Sequence, residues 1–184
     1  MKEILRIRRD DAILVAIDFQ ERLMPAMEGR DKIEKNVIKL AKGLKAFDIP
    51  KIVTTQYAKG LGQTIAPVAE ALGEFTPIDK SSFSAYKNED FKKALQTAKR
   101  NTVILAGIET HICVEQTALD LLEAGYKVFI AADCAGSRDE ENHRLSMNRM
   151  ANAGVVLTCG ESVLYEILGG AKAPEFKEIS AIVK

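Results

Sequence analysis

The sequence predicts an α/β protein: a three-layer αβα fold on a doubly wound, parallel six-stranded sheet in the order 3-2-1-4-5-6. Three observations carry this expectation. Short apolar runs alternate with segments of helical spacing along the whole chain. The strongest runs, Ala12 to Asp18 and Thr102 to Ile108, are apolar almost throughout, as in strands covered on both faces. No repeat, low-complexity tract or linker interrupts the alternation, so residues 1–184 read as one domain.

The elements follow in order. Ala12 to Asp18 is the first strand and ends in a carboxylate. From Asp31, the residues Ile33, Val37, Leu40, Leu44 and Phe47 step by three and four, the period of a helix face. Pro50 breaks that helix, and Lys51 to Tyr57 is the second strand. Thr64 to Leu72 is a short helix with Pro67 early in it, where proline is tolerated. Phe75 to Lys80 is the third strand. Asn88 can cap a helix that carries Phe91 and Leu95. Thr102 to Ile108 is the fourth strand, followed by a helix over Val114 to Ala124. Lys127 to Asp133 is the fifth strand, Asp139 to Ala153 a helix, and Val155 to Cys159 the sixth strand. A last helix, Glu161 to Leu168, stops at Gly169-Gly170.

Composition excludes several classes. Lys plus Arg and Asp plus Glu are equal at 26 each, which argues against nucleic acid as a partner. The longest apolar runs are of strand length, far short of the ~20 residues a membrane helix needs. Met1 to Arg9 lack the apolar core of a signal peptide, and three cysteines cannot all pair, which places the chain in the cytoplasm. No cofactor is expected: no G-x-G-x-x-G follows the first strand, and the cysteine spacings suit no metal cluster.

Doubly wound sheets bind ligands beyond the carboxyl ends of their strands, where the strand order reverses. Asp18 ends strand one, Lys80 ends strand three and Cys113 follows strand four, so all three converge on one crevice. Cys113 falls in the first turn of a helix, where orphan N–H groups and the helix dipole favour thiolate. A lone cysteine is more often a small core hydrophobe, a reading that fits Cys134 and Cys159 at apolar strand ends. His111 is too close in sequence to Cys113 to face it, and His143 reads as a solvated helix residue. The base is therefore expected to be Asp18, a carboxylate at the end of a buried strand. Lys80 would hold Asp18 and the thiolate together.

These residues carry a family resemblance. Ala16-Ile17-Asp18-Phe19-Gln20, Asp79-Lys80-Ser81-Ser82-Phe83-Ser84 and Gly107-Ile108-Glu109-Thr110-His111-Ile112-Cys113-Val114, followed by Ala132-Asp133, Ser137-Arg138 and His143, resemble the isochorismatase-like cysteine hydrolases. The resemblance implies an amidohydrolase with Asp18, Lys80 and Cys113 as its catalytic triad. It also implies a cis peptide at Ile108–Glu109 and an oxyanion hole from the N–H groups of Glu109 and Cys113. The implied reaction is cleavage of an amide or ureido C–N bond in a small-molecule substrate, through a thioester.

Two departures narrow this. The Asp-x-His metal motif of nicotinamidases is missing from Thr54 to Gly62, so no metal is expected. True isochorismatases lack the cysteine that this chain has. The Gln-Tyr-x-Lys-Gly-Leu-Gly segment, Gln56 to Gly62, resembles instead the isochorismatase-domain proteins of unassigned substrate, and Gly60 and Gly62 suggest a tight loop over the pocket mouth. Phe19, Gln20, Tyr57, Phe83 and His111 are the candidate substrate-binding residues. Family members commonly assemble, and the apolar Phe176, Ile179, Ile182 and Val183 beyond the last core helix need cover, so a homo-oligomer, a dimer or larger, is expected. Two other classes compete: a thiol redox enzyme or sensor, which would need Cys134 or Cys159 as partner, and a non-catalytic small-molecule binder on the same fold.

Overall fold

In a computed structural model of the protein, which describes residues 5–184, a six-stranded sheet runs in the order β3-β2-β1-β4-β5-β6. The strands are β1 (Ala12–Ile17), β2 (Lys51–Gln56), β3 (Ile78–Lys80), β4 (Thr102–Ile108), β5 (Lys127–Gly136) and β6 (Val156–Thr158). All neighbouring pairs are parallel, which requires a crossover between successive strands. Met1 to Ile4, the start of the segment read as lacking a leader, lie outside the described residues.

Side-chain alternation on β1 divides the molecule into two cores. Leu14 and Ala16 face one side, with α1 (Arg30–Ala46), α3 (Ala66–Leu72), α7 (Gly160–Leu168) and α8 (Phe176–Val183). Ile13, Val15 and Ile17 face the other, with α4 (Glu89–Ala98), α5 (Glu115–Glu123) and α6 (Glu140–Ala153). Every residue of β1 and β4 is buried, as their unbroken apolar runs require. Asn88 caps α4 by accepting the N–H groups of Asp90 and Phe91 at 2.9 and 3.1 Å.

Several expected boundaries move. β3 and β6 are shorter than expected because they are edge strands with one partner each. β5 is longer and runs on to Gly136, because a register shift between Leu105 and Gly107 lets Ala135 and Gly136 pair with β4. The Gln56–Gly62 segment holds a short helix, α2 (Ala58–Leu61), entered through Tyr57 in the left-handed region at φ 43°. The C-terminal stretch expected to need a partner is α8, whose Ile179 is fully buried, with Phe176, Ile182 and Val183 packed against the same core. That apolar surface is covered within the chain. Among the described residues no helix is long and apolar enough to cross a membrane.

Candidate active site

β1, β2, β3 and β4 all end at one edge of the sheet, and Asp18, Thr54 and Lys80 are buried there. Asp18 follows β1 with its backbone in the left-handed region, φ 54°, which turns the carboxylate toward β2 and β3. Lys80 Nζ donates to Asp18 Oδ2 at 2.7 Å, and both side chains are wholly excluded from solvent. Thr54 donates its hydroxyl to Asp18 Oδ1 at 2.7 Å. An ion pair this deep persists only when further hydrogen bonds satisfy both partners. Thr54 serves the carboxylate. Gln56 Oε1 at 2.6 Å and the Ser82 carbonyl at 3.3 Å serve the ammonium.

Cys113 reaches the same place from β4. It sits in a π-helical turn, Thr110–Val114, that leads into α5. Its Sγ lies 3.9 Å from Gln56 Oε1, the atom that also accepts from Lys80. The expectation of a stabilised thiolate is overturned. Burial, and then the Asp18 carboxylate, push the Cys113 thiol up to about 12, while Lys80 pulls the other way. Only 6% of the residue is exposed, so lost solvation outweighs the helix-start field.

The peptide between Ile108 and Glu109 is cis. The Glu109 carboxylate turns away from the thiol and accepts the Arg138 N–H at 3.0 Å, with the Arg138 guanidinium at 3.6 Å. His111 Nδ1 meets Ser137 Oγ at 2.8 Å, and His143 Nδ1 meets Thr110 Oγ1 at 3.0 Å. His143 is thus no solvated helix residue; burial lowers its affinity for a proton. Ser137 and His143 also line a cavity of about 330 Å3, with Glu28, Lys32, Asp133 and Glu140, and that cavity includes none of Asp18, Lys80 and Cys113.

The candidate wall residues divide. Tyr57 and Phe83 are 58% and 54% exposed at the ends of β2 and β3, free to face a ligand. The Phe83 loop is anchored to the helix after Cys113: Ser84 Oγ donates to Asp120 Oδ2 at 2.7 Å, and Ala85 N–H to Thr117 Oγ1 at 2.9 Å. Phe19 is 1% exposed and belongs to the core between β1 and α1, so it is no pocket wall. Gln20 is fully buried and its amide is committed to the chain: Nε2 donates to the Gln56 and Gly62 carbonyls at 3.1 and 2.8 Å, and Oε1 accepts the Gln56 N–H at 2.7 Å. It braces the site rather than contacting a ligand.

Gln56 is the residue the sequence reading passed over. It pairs in register with Lys80 across β2 and β3, so the strand-end rule that selected Asp18 and Lys80 selects it too. Cys134 is buried and its thiol is pushed well above the usual range, first by burial and then by Asp133. Cys159 is no apolar strand end: it is partly exposed and caps α7. Among the described residues no group of three or more His, Cys, Asp or Glu side chains stands together as a metal cage.

A doubly wound αβα sheet with a buried Asp–Lys pair and a cysteine at its switch point defines the class. The Isochorismatase domain family matches residues 12–162, and the chain belongs to that family. Isochorismatase domain-containing protein 1 of Salmo salar is 36% identical over 172 residues, covering 94% of this chain and 60% of that protein. The chain thus spans about three-fifths of that relative's length. The MAR1 ribonuclease of Caenorhabditis elegans superposes with a TM-score of 0.92 at 36% identity, over 97% of this chain and 92% of that one. The Escherichia coli YcaC gene product, described as an octameric hydrolase of unknown specificity, gives 0.89 at 26% identity over 98% and 97%. Family and fold together support a hydrolase of unassigned specificity.

Proposed function

We propose that the protein is a cysteine hydrolase that cleaves an amide or ureido C–N bond of a small molecule. The single observation that carries this reading is the shared contact at Gln56 Oε1, which brings the Cys113 thiol beside the buried Asp18–Lys80 pair. A buried acid–base pair next to a nucleophile is what acyl transfer needs.

In this reading the thiol rests protonated. As substrate arrives, Asp18 takes the S–H proton and the sulfur attacks the carbonyl carbon. The N–H groups of Glu109 and Cys113 hold the oxyanion, a contribution of ~3 kcal/mol per donor in comparable sites. Lys80 offsets the negative charge that passes between sulfur and carboxylate. Asp18 returns the proton to the leaving nitrogen, the C–N bond breaks, and a thioester remains. Water attacks the thioester, giving its proton to Asp18 and then to the departing sulfur, which frees the acid and restores the thiol. Tyr57, Phe83 and His111 line the approach.

No cofactor enters this scheme. We further propose a homo-oligomer, in keeping with the octameric Escherichia coli neighbour, and a cytoplasmic location, in keeping with three unpaired cysteines. RNA cleavage, named for the Caenorhabditis elegans neighbour, is the competing hydrolytic reading. The deciding experiment screens amides and ureido compounds for ammonia release, alongside an RNA substrate, with wild type and Cys113→Ala. Ammonia release that Cys113→Ala abolishes is the expected result. Turnover that survives Cys113→Ala, or cleavage of RNA alone, overturns the proposal.

A further inference from the structure

We propose that Gln56 is a positioning residue of this site: its amide oxygen fixes the Lys80 ammonium against the Cys113 thiol without adding charge. The inference rests on the reading of Cys113 as the nucleophile and Lys80 as its electrostatic partner.

Lys80 Nζ carries three N–H donors. They meet Asp18 Oδ2 at 2.7 Å, Gln56 Oε1 at 2.6 Å and the Ser82 carbonyl at 3.3 Å. With Asp18 alone the ammonium could swing about one contact. Gln56 supplies a second short contact, and the same oxygen stands 3.9 Å from Cys113 Sγ. One atom therefore touches both the cation and the thiol.

Gln56 is itself held at every polar group. Its Nε2 donates to the Ser81 carbonyl at 3.0 Å, which leaves Oε1 as the end of the amide that faces Lys80. Its backbone N–H donates to Gln20 Oε1 at 2.7 Å, and its carbonyl accepts from Gln20 Nε2 at 3.1 Å. Gln20 is fully buried, so this clamp is shielded from competing water.

The chemistry favours an amide here. A carboxylate of the same length would set a second negative charge on an ammonium already paired with Asp18, and would face the sulfur as charge develops there. An apolar side chain would leave a fully buried ammonium short of an acceptor, which is costly. Only a neutral acceptor satisfies Lys80 and leaves its charge available to the sulfur.

The test is the rate of Cys113 alkylation by iodoacetamide at about pH 9, resolved by peptide mass spectrometry on the full chain. Wild type is compared with Gln56→Glu, Gln56→Met, Lys80→Met and the Gln56→Met/Lys80→Met double variant. Gln56→Glu should slow Cys113 about tenfold or more, the factor that one unit of pKa represents. Gln56→Met should slow it several-fold, yet change little further in the Lys80→Met background, because Gln56 acts through Lys80. Cys159 should label at the wild-type rate throughout and so reports an intact fold. A merely structural role would lower the melting temperature while Cys113 kept or raised its rate, and that result overturns the proposal. So do independent, multiplying effects in the double variant. If Gln56→Glu does not fold, the Gln56→Met series decides. Failure to find any amide turnover would remove the hydrolase reading but leave these rates interpretable. Wild-type rates in the Gln56 variants would remove this proposal and leave the hydrolase reading intact.

Discussion

Thr54 donates its hydroxyl to Asp18 Oδ1 over 2.7 Å, at the point where β2 and β1 end side by side. Both residues are fully buried, so no water can replace that donor. Thr54→Val keeps the shape and removes the bond. It should cost about 1–3 kcal/mol in urea unfolding, the usual penalty for a buried acceptor left without its partner. A loss within error of zero would mean the carboxylate needs no second donor.

The Asp18–Lys80 pair sets a larger effect. Lys80→Met strands a buried carboxylate, and breaking such a pair by removing one partner costs about 3–5 kcal/mol. The double variant Asp18→Asn/Lys80→Met should recover much of that loss, because neither charge remains to be solvated. Equilibrium unfolding of wild type, Asp18→Asn, Lys80→Met and the double variant checks this. An additive result would show that the two charges do not sense each other.

The raised Cys113 thiol predicts a specific pH dependence. With ionisation near pH 12, the thiolate is scarce at neutrality, so the alkylation rate of Cys113 should climb roughly tenfold per pH unit between about pH 7 and 10. At neutral pH the more exposed Cys159 should label first. Peptide-resolved labelling that plateaus near pH 7 would reveal a standing thiolate.

His143 predicts a slope in stability. Burial holds it below its ordinary value of 6.5, against a weaker opposing pull from Glu140. Glu28, Lys32 and Asp133 line the same cavity. The unfolded chain takes up a proton near pH 6.5 that the folded chain refuses, so His143 contributes stability above that pH and loses it as the pH falls. Between about pH 7 and 5 the urea midpoint should drop more steeply in wild type than in His143→Gln. Identical slopes would contradict this.

Strand order and the convergence of Asp18, Lys80 and Cys113 on one end of the sheet were legible because they follow from local pattern. A continuous apolar run marks a central strand, and the residue that ends it falls at the ligand edge. The extension of β5 was not legible, since it depends on a register shift opposite Gly107, where a Cβ would stand 2.6 Å from the Ile17 carbonyl oxygen. Nor was the charge state of Cys113: helix-start position is local, whereas burial depends on a core assembled from distant segments of the chain. Phe19 and Gln20 misled for a related reason. They adjoin Asp18 in sequence, but the left-handed turn at Asp18 sends both back toward the protein interior.

The order β3-β2-β1-β4-β5-β6 has one more consequence. Its centre is also a seam in the chain: β1, β2 and β3 come from the first half, and β4, β5 and β6 from the second. Asp18, Gln56 and Lys80 belong to one side of that seam and Cys113 to the other. Cleaving the connection near Asn101 would yield two fragments, one bearing the acid–base pair and one bearing the thiol, and neither would hold a complete site. Asp18, Lys80 and Cys113 come together only when the two halves pair along the β1–β4 line. A misregistered or half-made sheet therefore leaves the thiol apart from the Asp18–Lys80 pair.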